Sequence, residues 1–204
     1  MLTDLLRIDG VTEHLELRSS LGFLALHGGS LERGTDAVAE EAARRAGASY
    51  YAVRQPEDLR WHLPSTAFDP DASPALATVL EHCEVVVSVH GYGRAGLFTS
   101  VLLGGRNRRL ARHVADHLQT ALPEYDAVAE LSRIPRELRG LHPDNPVNRP
   151  EGAGVQVELP PRIRGLGPHW DGRRHEWPAG RSPHTEALVA ALAAAARSWP
   201  ITAA

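Results

Sequence analysis

Three apolar runs of this chain close, or nearly close, on a side chain that can do chemistry. LGFLALH ends at His27, EVVVSVH ends at His90, and GVQVEL carries Glu158 one residue from its end. Glu32 follows His27 across Gly28, Gly29, Ser30 and Leu31. Two imidazoles and one carboxylate form the donor set of a catalytic zinc site, where three protein ligands leave a position for water. His27, Glu32 and His90 are the candidate ligands. Gly28 and Gly29 let the loop curl so that Glu32 returns beside His27, because glycine has no side chain to obstruct it. Such an ion brings the pKa of its water toward ~7. A further carboxylate, not a ligand, must then carry a proton from that water to the leaving amine. Glu158 is the candidate for that role.

Each group taken singly also has a plain structural use. A strand-end histidine can simply bond to backbone. Glu32 can be a solvated acid favoured by a helix dipole, His90 a turn residue before Gly91, and Glu158 a charge on an edge strand. The chemical reading rests on the conjunction: three of these groups at strand ends, and Glu32 in the loop after the first. In open α/β sheets, ligands collect in the crevice at the carboxyl ends of the strands.

The elements that must position these groups are legible in the pattern. EHLELR followed by LGFLALH reads as two strands joined by a tight Ser-Ser-Leu-Gly turn. Thr35 or Asp36 can cap a helix that runs to about Gly47. SYYAV is a short strand, and 55–72 reads as a proline-marked loop. Ser73-Pro74 opens a helix to about His82. EVVVSVH is apolar almost throughout, as an inner strand buried on both faces would be. LFTSVLLGG is a further apolar run, 106–121 a helix, YDAVAEL a strand, 133–150 a long loop and GVQVEL an alternating strand. The Pro/Arg/Gly-rich segment 160–181 is expected to wrap the surface, and Ser182-Pro183 to open a helix over 182–199. Strands alternating with helices predict a single α/β layered domain over 1–204, with a mixed, largely parallel sheet flanked by helices.

Composition narrows the function classes. Of 204 residues 43% are hydrophobic, which suits a globular core rather than disorder. No apolar run approaches the roughly 18 residues of a membrane span. The start MLTDLLRIDG lacks a basic region before a long apolar stretch. A cytoplasmic protein with no membrane partner is the expectation, as a monomer or small homo-oligomer. The net charge of −3 argues against general nucleic-acid binding. The single cysteine, Cys83, excludes an internal disulfide and reads as a buried thiol. Every basic residue is arginine, whose planar fork grips carboxylates at two points. Arg94, Arg149 and Arg162 are the candidate handles for an acidic substrate, and Tyr92 a candidate donor to an oxyanion. His113 and His117 stand four apart on the predicted 106–121 helix, a spacing that can hold zinc. The run HVADH lacks the glutamate of a metalloprotease helix, so a polar helix face is expected there. FDPD is read as a turn, and LLGGRNRR as a strand-to-helix turn without a phosphate-binding glycine motif.

HGGSLERGT, SVHGYG and GVQVEL together resemble the phage-type poly-γ-glutamate hydrolases, small zinc peptidases similar in architecture to the zinc carboxypeptidases. The resemblance runs from about residue 20 to residue 164. It implies a carboxypeptidase-like fold, a Zn2+ cofactor held by His27, Glu32 and His90, and Glu158 as general base and acid. DNPVNRP is similar to a family segment in which Asn148 and Arg149 would meet substrate. The carboxypeptidases place two residues between their first histidine and glutamate, whereas four lie between His27 and Glu32, so the loop here differs. The implied activity is cleavage of amide bonds in a γ-glutamyl polymer or related acidic peptide. Two rivals stand beside it: an N-acyl amino acid deacylase with the same metal site, and a non-catalytic module that binds acidic polymers through its arginines.

Overall fold

The computed structural model describes residues 1–166 and 181–200. Among the described residues seven strands form one sheet: β1 (Thr12–Glu16), β2 (Ser19–Gly29), β3 (Ala48–Gln55), β4 (Val85–Gly91), β5 (Ser100–Leu103), β6 (Asp126–Val128) and β7 (Gly154–Leu159). Their spatial order is β1-β3-β2-β4-β7-β5-β6. The central run β3-β2-β4-β7 is parallel throughout. β1 joins β3 antiparallel, β5 joins β7 antiparallel, and β6 runs parallel to β5. The expected mixed, largely parallel sheet is therefore what the chain builds.

Alternation sorts the apolar residues of the central strands between two layers. On one face Phe23, Val87 and Val157 pack with Val38, Leu110 and Leu188 from α2 (Thr35–Ala46), α4 (Arg108–Ala121) and α5 (Pro183–Ser198). On the other, Leu24, Leu26 and Val86 pack with Leu5 of α1 (Leu2–Leu6) and Leu76 and Val79 of α3 (Pro74–His82). Each fully buried Leu or Phe in these layers contributes about 1.5–3 kcal/mol. The helix starts follow local chemistry. Ser73 Oγ accepts from the Leu76 N–H with Pro74 in the first turn, and Ser182 Oγ does the same for Thr185. α2 ends on Gly47 at φ +67, the left-handed cap that glycine tolerates.

Several details depart from expectation. Ser19 to Gly22 is not a turn but the start of β2, and β1 pairs with β3 instead of β2. β3 is buried along nearly its whole length and so takes an interior place, while the half-exposed β1, with Glu13 and Glu16, fits the edge. Ser49 fixes the arrangement: its hydroxyl accepts from the Arg18 N–H and donates to the Ser19 carbonyl. Gly34, at φ +87, holds the cap position of α2 in place of Thr35 or Asp36. α1 was not anticipated, although Leu2 and Leu5 are fully buried. Of the predicted wrapping segment, Arg162–Arg164 forms a short 3-10 turn, and 167–180 lies outside the described residues.

Candidate active site

β2, β4 and β7 are neighbours and parallel, so their carboxyl ends lie side by side. His90 stands directly opposite Glu158 in the register. Ser88 and His90 share one face of β4, and Gln156 and Glu158 share the same face of β7, by the two-residue repeat of a strand. That repeat alone would send His27 to the opposite face from Leu24 and Leu26. β2 avoids this with a bulge. It advances from Ala25 to Gly28 while β3 advances only from Ala52 to Arg54, leaving β2 one residue longer. Leu26 and His27 thereby reach the same side: Leu26 packs in the α3 layer and the His27 ring lies 5.7 Å from Phe68 of that layer. The loop after β2 then folds back, its Glu32 N–H donating to the His27 carbonyl at 2.9 Å. Gly29 sits at φ +73, where a Cβ would come within 2.1 Å of the Gln55 carbonyl oxygen, so only glycine fits.

The result is a tight polar group. Glu32 Oε1 lies 2.8 Å from His27 Nδ1, and Glu32 Oε2 lies 3.5 Å from His90 Nδ1 while accepting from the Gly91 N–H at 2.8 Å. The two imidazole rings are 5.1 Å apart. Both turn Nδ1 toward the carboxylate, and both have Nε2 occupied: His27 against the Leu63 carbonyl at 2.8 Å, His90 against the Ser88 hydroxyl at 2.9 Å. Outer partners of this kind fix the tautomer and orientation of metal-binding histidines. Burial raises the Glu32 pKa, but hydrogen bonds and charge from His27 and then His90 outweigh it and hold the carboxyl far below its usual range. Burial depresses His90, and Glu32 followed by Glu158 overcomes that, for a net rise. Glu158 is 4% exposed, and desolvation raises its pKa against the opposing charge of His90. Gln156 Nε2 donates to Glu158 Oε1 at 2.8 Å, and Asn145 Nδ2 in turn donates to Gln156 Oε1.

A cavity of about 850 Å3 opens over these strand ends. His27, Glu32, Gly91 and Glu158 form its floor, with His62 and Arg136, Arg139 and His142 among its walls. Imidazole nitrogens ranged about one carboxylate, with His27 Nδ1 at 2.8 Å and His90 Nδ1 at 3.5 Å from Glu32, are donor types that suit a borderline divalent cation such as zinc.

A family model described as poly-gamma-glutamate hydrolase matches residues 9–167. This chain belongs to the poly-gamma-glutamate hydrolase family. It is 30% identical over 138 residues to the SPbeta prophage-derived UPF0714 protein YoqZ of Bacillus subtilis (strain 168), a match covering 67% of this chain and 47% of YoqZ. The UPF0714 protein YndL of the same organism matches at 29% over 146 residues, 71% of this chain and 54% of YndL. The chain thus spans about half the length of the curated relatives it matches. Among solved structures, a bacteriophage poly-gamma-glutamate hydrolase superposes with a TM-score of 0.74 at 22% identity, over 91% of this chain and 87% of that one. A zinc-free form of YndL gives 0.64 at 26%, over 76% and 73%. A Burkholderia mallei protein described as a carboxypeptidase gives 0.52 at 12%, over 97% and 66%, a likeness of architecture alone.

Not every residue expected at the site of this family member reaches the cavity. His27, Glu32 and Glu158 line it, while His90 is buried 3.5 Å from Glu32 and is not among the lining residues. Tyr92 is buried with its hydroxyl donating to the carbonyls of Leu97 and Ser100, where it braces the loop between β4 and β5. Asn148 donates to the carbonyls of Gly140 and His142 and accepts from the Arg106 N–H, so it ties loops together. Arg149 is exposed and lies 3.4 Å from Asp144. The DNPVNRP segment meets the cavity through Asn145 instead. Arg94 pairs with Glu137 at the cavity wall, and Arg162 is exposed.

Sequence reasoning passed over Ser88 and Gln156, although each stands two residues before a named group on the same strand, a signal that strand alternation supplies. It also passed over His62, Arg136 and Arg139, which lie in loops where no periodicity marks them. Arg164 is a different case. Its guanidinium lies over Gly91, where a Cβ would come 2.6 Å from Cζ, and it donates to the carbonyls of Arg33 and Leu159. Burial lowers its pKa while the charges of Glu32 and Glu158 oppose the drop. One cation thus ties the loop at Arg33 to the end of β7 within the field of two site carboxylates.

Proposed function

We propose that this chain is a zinc-dependent amide hydrolase acting on γ-glutamyl chains or a related acidic peptide. The observation that carries the reading is the meeting of His27, His90 and Glu158 at adjoining strand ends with Glu32 from the loop after β2, beside one cavity. Membership of the poly-gamma-glutamate hydrolase family supports the substrate class. So do Arg136, Arg139 and His142 in the cavity wall, since a substrate with free carboxylates requires cationic or donor groups around it.

His27, Glu32 and His90 would hold the ion. Zinc, when bound, polarises a carbonyl and eases deprotonation of water near neutral pH. Ser88 and the Leu63 carbonyl keep the two imidazoles from turning, through the nitrogens that face away from Glu32. Gln156 holds Glu158 by one carboxylate oxygen and so aims the other. Glu158 takes a proton from the attacking water as the new C–O bond forms, then delivers it to the nitrogen as the C–N bond breaks. Its buried setting raises its proton affinity, which strengthens it as a base once ionised.

The test is release of new amino groups from poly-γ-glutamate by the purified protein, with and without a chelator, beside small N-acyl amino acids. Chelator-sensitive cleavage of the polymer is the expected result. Cleavage that survives both chelation and Glu158→Gln would sink the mechanism, and a preference for the small acylated compounds would reassign the substrate.

A further inference from the structure

We infer that His62 is a fourth protein donor to the same ion, carried by a loop rather than a strand; the inference rests on the metal-hydrolase reading above. One donor atom each from His27, Glu32 and His62 lie within 4.8 Å of one another. The His62 and His27 rings are 5.0 Å apart, a separation close to the 5.1 Å between His27 and His90. Glu32 therefore stands within reach of three imidazoles, two from strands and one from the 56–64 loop.

Proximity of a surface histidine is common, so the decisive point is how the loop is held. Both residues that flank His62 are fixed from below. Gln55, buried at the end of β3, donates through Nε2 to the Trp61 carbonyl and accepts from the Trp61 N–H, each at 2.8 Å. On the other side the Leu63 carbonyl lies 2.8 Å from His27 Nε2, and the Leu63 side chain is itself buried. Ser30, two residues before Glu32, donates to the Leu59 carbonyl and anchors the loop once more. The outer hydrogen bond of one candidate ligand thus presents the next one to the cavity. Two backbone anchors, on adjacent sides of a single residue, leave the imidazole little freedom except about its own side-chain bonds. Catalytic zinc sites keep three protein donors and an exchangeable position. A donor on an exposed loop can give up its place without disturbing a strand, whereas His90, buried and bonded to Ser88, cannot.

Zn2+ affinity, measured by competition with a chromogenic chelator, separates the possibilities. His62→Ala should weaken Zn2+ binding by about 10–100-fold, the scale seen even when partners of ligands are disturbed. It should also alter the visible spectrum of the Co2+-substituted protein, with far-UV circular dichroism unchanged. His62→Cys, which restores a donor, should recover most of the affinity. Wild-type and His62→Ala proteins with equal affinity and equal Co2+ spectra would overturn the inference and leave the metal reading standing. Equal weakening in His62→Ala and His62→Cys would overturn it too, since only loop packing would then be involved. A wild-type protein that binds no Zn2+ would remove both.

Discussion

Two pairs of histidines in this molecule have nearly the same ring separation and opposite surroundings. His27 and His90 are 5.1 Å apart, and His113 and His117 on α4 are 4.9 Å apart. In the first pair both Nδ1 atoms face one carboxylate, and both Nε2 atoms are held by fixed partners. In the second pair both Nε2 atoms converge on a neutral hydroxyl, that of Ser198 on α5, at 3.1 and 3.0 Å. His113 also meets the Ala195 carbonyl and packs against Trp199. The helical pair is a polar latch between α4 and α5, and the strand pair is a donor set over a cavity. Imidazole spacing alone does not separate a latch from a ligand site. What separates them is an acid between the rings, toward which outer hydrogen bonds turn both inner nitrogens.

The contrast can be broken most severely at Glu158. Glu158→Gln should lower turnover on a γ-glutamyl polymer by about 10²–10⁴-fold while bound metal is retained, since general base catalysis is worth that much. The double variant His113→Ala/His117→Ala should leave turnover unchanged; a comparable loss there would erase the distinction. A smaller effect is expected one step out from the ligands. Ser88→Ala should weaken Zn2+ binding by about 10–100-fold in a chelator titration, and Ser198→Ala should not change it. Ser198→Ala should instead register in urea unfolding, with a loss of about 0.5–1 kcal/mol, as its exposed hydroxyl links the two rings to the Ala194 carbonyl. The smallest effect concerns acid. Burial, helped by the neighbouring charge of His113, lowers the His117 pKa below 6.5. The unfolded chain then binds the proton more readily, so this contribution to stability is present above pH 6.5 and fades as pH falls through the depressed value. A urea midpoint that drops between pH 7.5 and 5.5 less in His117→Gln than in wild type is the expected outcome. An equal drop in both would show that the latch is not pH-sensitive.

Where sequence reading succeeded, a short-range rule applied. The helix opened by Ser73-Pro74 and the strand from Val85 to Gly91 came out as expected, because a cap or an unbroken apolar run is decided by adjacent residues. Where it failed, a longer-range competition decided. β1 and β2 are adjacent in sequence, and hairpin pairing was the natural expectation. β3 came between them because its own two-sided burial demanded an interior place. The same holds at the site. The types and order of His27, Glu32, His90 and Glu158 were visible as strand-end chemistry. The arginines that line the cavity were not, because arginines look alike in sequence and only the path of the 133–150 loop puts Arg136 and Arg139 rather than Arg149 on the cavity wall.

By itself the sequence determined the α/β character, the positions of the central strands and the donor types at their ends, because these follow from local periodicity and residue chemistry. Tertiary structure alone decided that β2, β4 and β7 lie side by side, that a bulge turns His27 to the face of His90, and that a loop brings His62 beside them. Those outcomes depend on register and burial between segments distant in the chain, and no local pattern encodes such distances.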